Sequence, residues 1–229
     1  MVERDKPIVS SSTMKVLSVN VGGPRKVETR AGPVLTSIFK SPVQGRILLV
    51  GHNLQGDRQS DLRVHGGPYK AVYLYPFEHY THWKQELPDA DFSYGNFGEN
   101  LTTEGLTEHD VHIGDQVRIG SAILQVTQPR MPCYKLAIRF GRPDMIKRFW
   151  ASGRSGVYFS VVQEGELGSG DTIEVVASDP NRVSVHDVVR LFKGELVDDE
   201  FLERVMKSPL RGSWKKDIQS GLLETEMSE

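Results

Sequence analysis

The sequence predicts a mainly β protein: a closed or nearly closed β-barrel with a few helices, followed by a small C-terminal three-helix module. Three observations predict it. From Met14 to about Ala177 the chain is a succession of short apolar runs cut by Gly, Pro, Asn and Asp. Only two stretches in that region carry helical spacing. After Asp179-Pro180-Asn181 glycines become sparse and apolar residues recur at helical intervals. A barrel is the arrangement of many short strands that removes exposed edges.

The elements follow in chain order. Met1 to Thr13 is polar, lacks the apolar core of a signal peptide and reads as a flexible N-terminal extension over 1–13, with Met14 as a candidate natural start. Strands are predicted at Met14–Val19, Gly45–Val50, Ala71–Tyr75, Ala122–Val126 and Gly156–Val162. At Ile113–Ile119 and Gly170–Val175 a Gly-Asp turn feeds an alternating strand, as at barrel corners. Pro76 opens a helix with Phe77, Tyr80, Trp83 and Leu87 on one face. Pro143-Asp144 opens a second, with Met145/Phe149 and Ile146/Trp150 four apart. These aromatic stripes read as core. The barrel domain spans 14–177 and the helical module 180–229. In the module Ser184, Asp198 and Ser213 are candidate N-caps for its three helices. Their apolar faces need burial, on the barrel or at a homodimer interface.

Composition narrows the function classes. The 229 residues carry 28 basic and 30 acidic side chains, a net charge of -2. That balance argues against bulk nucleic-acid binding, which shows as a basic face. The acidic residues Glu195, Asp198, Asp199, Glu200 and Glu203 argue against a nucleic-acid-reading role for the helices. No apolar run reaches the roughly 18 residues of a membrane span. The single cysteine excludes an internal disulfide and fits a reducing cytoplasm. It also excludes a cysteine-held iron–sulfur cluster within one chain.

That cysteine, Cys133, sits in Gln128-Pro129-Arg130-Met131-Pro132-Cys133-Tyr134-Lys135-Leu136. Two prolines stiffen the approach, and Arg130 and Lys135 lie close on either side. Positive charge favours a thiolate, which is a nucleophile, a redox sensor or a soft-metal ligand. The plain alternative is a small buried hydrophobe. Three glycine-punctuated segments accompany it: Gly51–Gln59, Asp61–Lys70 and Gly95–Leu101. Glycines such as Gly66, Gly67 and Gly98 let backbone approach a ligand, and consecutive N–H groups form anion nests. Arg58, Arg63, His65 and Lys70 add cations, so the combination suits a phosphate-bearing small molecule, although each segment alone reads equally as a turn with solvated charges. The sequence has no Walker motif, no GxGxxG, no HExxH and no GxSxG elbow.

The segments DLRVHGGP (Asp61 to Pro68), GNFGENLTT (Gly95 to Thr103) and QPRMPCYKL (Gln128 to Leu136), in that order, resemble the MOSC-domain family, the molybdenum-cofactor sulfurase C-terminal type, and within it the YiiM-like group. The likeness covers roughly Met14 to Ala177, and the three C-terminal helices are similar to a module that follows the barrel in that group. The resemblance implies a β-barrel that carries the molybdenum cofactor (molybdopterin), with Cys133 as the molybdenum ligand. It places Asn100, with Phe97 and Gly98 in the same turn, near the pterin. Arg130 is a candidate phosphate or pterin contact. Arg58, Arg63, Lys70, Lys135, Gly66 and Gly67 are further cofactor-binding candidates by charge and proximity, and His65 and Asp61 are alternative general acids. The implied activity is reduction of N-hydroxylated compounds, such as 6-N-hydroxylaminopurine, to the amine. With no flavin, nicotinamide or iron–sulfur fingerprint in the chain, electrons are expected from an external iron–sulfur or flavin protein. The competing reading is a sulfur or cofactor carrier, with Cys133 as persulfide or ligand. Pyridoxal phosphate binding ranks last, since no lysine stands in a setting that singles it out for a Schiff base.

Overall fold

The computed structural model describes residues 13–61, 66–195 and 198–220. The expected N-terminal extension, save Thr13, and both Arg63 and His65 lie outside the described residues. Strands β1 (Lys15–Val21), β4 (Ser41–Pro42), β7 (Val72–Pro76), β8 (Leu101–Glu104), β9 (Gln116–Ile119), β10 (Ala122–Pro129), β11 (Val157–Gln163) and β13 (Ile173–Ala177) form one sheet, in the order β13-β9-β10-β11-β7-β8-β1-β4. Strands β5 (Arg46–Val50), β6 (Asn53–Leu54) and β12 (Gly165–Gly168) form a second sheet, and β2 (Arg25–Thr29) with β3 (Gly32–Thr36) a separate hairpin. Pairing in the large sheet is antiparallel except between β7 and β8.

The large sheet curls until β1, next to the short edge strand β4, meets the opposite edge at β13. Lys15 of β1 bridges Thr172 beside β13. Around that bridge the Val16 N–H donates to Asp171 O (2.9 Å), and the Ile173 N–H donates to Met14 O (2.8 Å). This is the nearly closed barrel expected from the many short strands. Alternation fills the interior: Val117 and Ile119 on β9, Leu124 and Val126 on β10, and Val157 and Phe159 on β11 all point into one core. The two predicted Gly-Asp corners are present, with Gly114 at φ 95° and Gly170 at φ 89°, conformations that favour glycine.

Three helices flank the barrel: α1 (Glu78–Glu86), α2 (Tyr134–Phe140) and α3 (Met145–Ser152). The α1 stripe and the Met145/Phe149 pair are core, as their spacing predicts, whereas Ile146 and Trp150 are only half-buried and join neither core cluster. Tyr80 and Trp83 of α1 and Met145 and Phe149 of α3 join Tyr73, Tyr75 and Phe97 in a second cluster of buried side chains. The seven-residue helix α2 is an addition to the sequence reading, which placed only two helices in the barrel region. Cys133 flanks its first residue, and α2 buries Lys135 and Leu136.

The C-terminal module consists of α4 (Val185–Phe192), α5 (Asp199–Lys207) and α6 (Gly212–Ser220). Ser184 Oγ accepts from the Asp187 N–H (3.0 Å) and Asp198 Oδ1 from the Phe201 N–H (2.7 Å), so two expected caps are in place. The third helix begins at Gly212, and Ser213 lies inside it. Val183, Val185, Val188, Phe201, Val205, Leu210 and Trp214 pack into the barrel's own core cluster with Val111 and Ile113. Pro209 sits so close to Gly114 that a Cβ there would fall 2.5 Å from it. Chain truncation after Ala177 is therefore expected to expose that shared apolar surface and give aggregated protein; a soluble, monodisperse barrel with a cooperative melt on size exclusion and calorimetry would contradict it. No helix among the described residues is long and apolar enough to cross a membrane.

Candidate functional site

Where β10 leaves the sheet, its ladder ends at Pro129, which has no N–H to donate. The chain then turns through Arg130 to Cys133 and enters α2. This exit opens on a pocket enclosing about 530 Å³ of space free of protein atoms, solvent at its mouth included. Its lining is drawn from distant parts of the chain: Thr36 at the end of β3 with Ser37, Ile38 and Lys40 beyond it, Asp57, Gln59 and Ser60 after β6, Lys70, Tyr73 of β7, Gly98 and Asn100, then Arg130, Cys133 and Lys135, and Tyr158 of β11. Pairing of β7 with β11 sets Tyr73 opposite Tyr158, ring centroids 4.9 Å apart.

Arg130 is the most constrained of these side chains. It is 6% exposed. Its guanidinium donates to the Phe97 carbonyl and lies 4.8 Å from the Tyr73 ring centroid and 5.7 Å from that of Phe149. Burial works against its charge, but the oxygens of Tyr73 and Tyr158 and the Cys133 sulfur outweigh it and its pKa is raised. Burial, offset in part by Arg130, raises the Tyr73 and Tyr158 phenols, which stay protonated. Lys135, also 6% exposed, donates from Nζ to Ser60 Oγ (3.0 Å). Neither Arg130 nor Lys135 makes an ion pair among the described residues.

The one carboxylate in the lining is already engaged. Asp57 Oδ1 accepts from Lys40 Nζ and from the Gly22 N–H, and Oδ2 accepts from Asn100 Nδ2 (3.0 Å). Asn100 Oδ1 accepts from the Tyr73 N–H (3.1 Å), and its Nδ2 also donates to Asn20 O (3.3 Å). Asn100 thus lines the pocket while spending its amide on the scaffold. Beneath it Glu99, fully buried, accepts from Tyr80 Oη, from the N–H groups of Gly95 and Phe97 and from Thr102 Oγ1. Those bonds shape the turn that presents the Phe97 carbonyl to Arg130. By contrast, Ser37 Oγ is buried on the pocket wall with no hydrogen-bond partner among the described residues.

Of the sequence candidates, the structure brings Cys133, Arg130, Lys135, Lys70, Asn100 and Gly98 to one pocket. Asp61 lines an adjoining bay. Phe97 is buried beneath the wall and contributes through its carbonyl. Gly66, Gly67 and the exposed Arg58 are not among the lining residues; Gly67 instead starts the 3₁₀ turn Pro68–Lys70 that sets Lys70. Sequence reasoning missed Ser37, Lys40, Asp57, Ser60, Tyr73 and Tyr158. Lys40 and Asp57 are an unremarkable lysine and aspartate in sequence, joined only by folding.

The charge in the pocket is net positive and tunable. Burial lowers the Lys70 pKa; Arg211 and Arg130 push the same way, and Cys133 opposes them. Burial likewise lowers Lys40, against the pull of Asp57. A lysine is charged below its pKa, so both lose their protons at lower pH than an ordinary lysine. Binding of inorganic pyrophosphate is accordingly expected to weaken on the alkaline side before the ordinary lysine range is reached. Titration of that binding against pH should show the step reduced in Lys70→Met; an identical alkaline profile would refute Lys70's part.

Comparison with known proteins agrees with this architecture. Residues 61–174 match the MOSC domain family model. The chain is 39% identical over 201 residues to the uncharacterized protein YflK of Bacillus subtilis, covering 87% of this chain and 90% of that one. It is 32% identical to a protein named Reductase from Gibberella moniliformis, across 78% of this chain and 32% of that longer one. The crystal structure of YiiM from Geobacillus stearothermophilus superposes with a TM-score of 0.75 at 34% identity, over 91% of this chain and 99% of that chain. MOSC domains are associated with the molybdenum cofactor. With Cys133 inside the matched segment and relatives aligned over most of the chain beyond it, the chain belongs to the MOSC-domain family, in its YiiM-like group.

Proposed function

We propose that this protein is a molybdenum-cofactor-dependent reductase of N-hydroxylated compounds, converting R–NHOH with two electrons and two protons to R–NH₂ and water. The observation that carries this reading is a half-buried thiol at Cys133 in a pocket lined by Arg130, Lys135 and Lys70. That donor set fits the cofactor. A soft sulfur suits molybdenum, guanidinium and ammonium groups suit a phosphate, and Ser37 Oγ, without a hydrogen-bond partner among the described residues, offers a buried hydrogen bond to a polar ligand.

In this reading Cys133 Sγ holds the metal, and Arg130, Lys135 and Ser37 hold the phosphate and pterin. When bound, the cofactor supplies the two-electron oxygen-atom chemistry, and the protein supplies orientation and exclusion of water. The facing rings of Tyr73 and Tyr158 wall off solvent on the barrel side. Hydroxyl loss as water needs an acid; of the two candidates, Asp61 lines the adjoining bay and His65 lies outside the described residues. Electrons come from an external iron–sulfur or flavin protein.

The test is an anaerobic steady-state assay of holoprotein with reduced methyl viologen and 6-N-hydroxylaminopurine. Many turnovers of adenine per chain are expected. Transferable sulfane sulfur on Cys133 without turnover would replace the reductase reading with the carrier one.

A further inference from the structure

A second, open bay lies directly outside the Cys133 pocket. One side is the hairpin, through Pro33, Val34 and Leu35; the other is Tyr134, the first residue of α2. It encloses about 980 Å³, open solvent included. Ser60 and Lys135 line both cavities, and their hydrogen bond forms a sill between the two. Each wall of the bay is adjacent in sequence to a wall of the pocket. Leu35 precedes Thr36 and Ser37, and Tyr134 follows Cys133.

The side chains on these walls are large, apolar and in water. Leu35 is 54% exposed and Tyr134 is 53% exposed. Single exposed apolar residues are ordinary, but these two share one concavity that adjoins a charged pocket. Strand alternation accounts for the placement of Leu35: Thr36 turns its side chain inward, so Leu35 must turn outward. Tyr134 leaves α2 on the side away from the buried Lys135 and Leu136. The bay adds this apolar and aromatic surface beside the polar groups of Ser60, Asp61 and Lys135, so a ligand whose polar end enters the pocket can bury its body here.

We propose that the bay seats the body of the substrate. A planar, largely apolar ring system packs against Leu35 and Tyr134, and its exocyclic N-hydroxyl reaches over the Lys135–Ser60 sill to the Cys133 pocket. Leu35 and Tyr134 are then specificity residues, selecting N-hydroxylated ring compounds over small hydroxylamines. This rests on the functional reading above, and two separate measurements keep the two claims apart.

The first is binding of adenine, a planar ring with nothing to reduce, to full-length holoprotein by saturation-transfer NMR. The second is steady-state reduction of 6-N-hydroxylaminopurine and of hydroxylamine, which has no body to stack. Leu35→Ser and Tyr134→Ala change exposed side chains outside the catalytic groups. In each, adenine affinity is expected to fall about ten-fold, the effect of losing one good stacking surface. KM for the purine should rise by a similar factor with kcat within about two-fold, and KM for hydroxylamine should not move. Adenine binding and purine KM unchanged in both variants, or no adenine binding to the parent protein, would overturn the proposal. An unchanged purine KM with a raised requirement for a protein electron donor would overturn it too, and assign the bay to that donor. Failure of the parent protein to reduce either compound would remove the reductase reading alone, and the adenine arm would still decide the bay.

Discussion

Replacement of Cys133 by alanine is expected to leave the fold intact and strip the protein of molybdenum. The side chain is small and half-buried, so the loss in stability should stay near about 1 kcal/mol, the usual size of a substitution that breaks no core or network. The metal loses its only soft donor in the pocket lining, and retention should fall by at least about ten-fold, the lower end of what even indirect disturbance of a metal site produces. Cys133→Ser keeps the size but substitutes a hard oxygen, and should fail similarly. Elemental analysis and thermal melts on the three proteins, purified from a cofactor-producing host, check this. Undiminished metal in either variant would remove Cys133 as the ligand.

The second large effect belongs to Arg130. Its guanidinium serves the fold and the pocket at once, through the Phe97 carbonyl, the Tyr73 face and its cation in the lining. Arg130→Ala leaves that carbonyl without its partner and opens a cavity among aromatic rings, a loss of about 3 kcal/mol. Arg130→Met separates the two roles. It keeps most of the volume and removes a buried charge, so stability should recover to within about 1–2 kcal/mol of the parent. Anion affinity should not recover, because the fork of donors is gone. Urea unfolding gives the first quantity and pterin content the second. Full cofactor content in a well-folded Arg130→Met protein would show that Arg130 is structural only.

Much of this fold was legible because its signals are local. The apolar runs that became β5, β7, β10 and β11, the aromatic faces of α1 and α3, and the caps Ser184 and Asp198 each depend on neighbours within a few residues. Helix α2 was not legible: seven residues after a proline-rich approach carry little helical signal, and α2 is held by burying Lys135 and Leu136. The start of α6 also moved, since a serine one residue from an aromatic imitates a cap.

The site divides the same way. Cys133, Arg130 and Lys135 lie in one motif, and the motif gives their grouping away. The opposite wall comes from Thr36–Lys40 and Asp57–Ser60, placed by a hairpin and by the Asp57–Lys40 pair across folded space. Asp57 and Gln59 end the glycine-punctuated Gly51–Gln59 segment, but no short-range pattern marks Thr36, Ser37, Ile38 or Lys40. Asn100 shows the reverse case, a motif residue whose amide proves to be committed to Asp57, Asn20 and Tyr73.

The most direct test of the central claim is a single-turnover experiment. Holoprotein is reduced anaerobically, freed of excess reductant and mixed with 6-N-hydroxylaminopurine. Formation of one adenine per bound molybdenum, absent from Cys133→Ala, is the predicted result. No adenine from fully loaded, fully reduced protein would contradict the account.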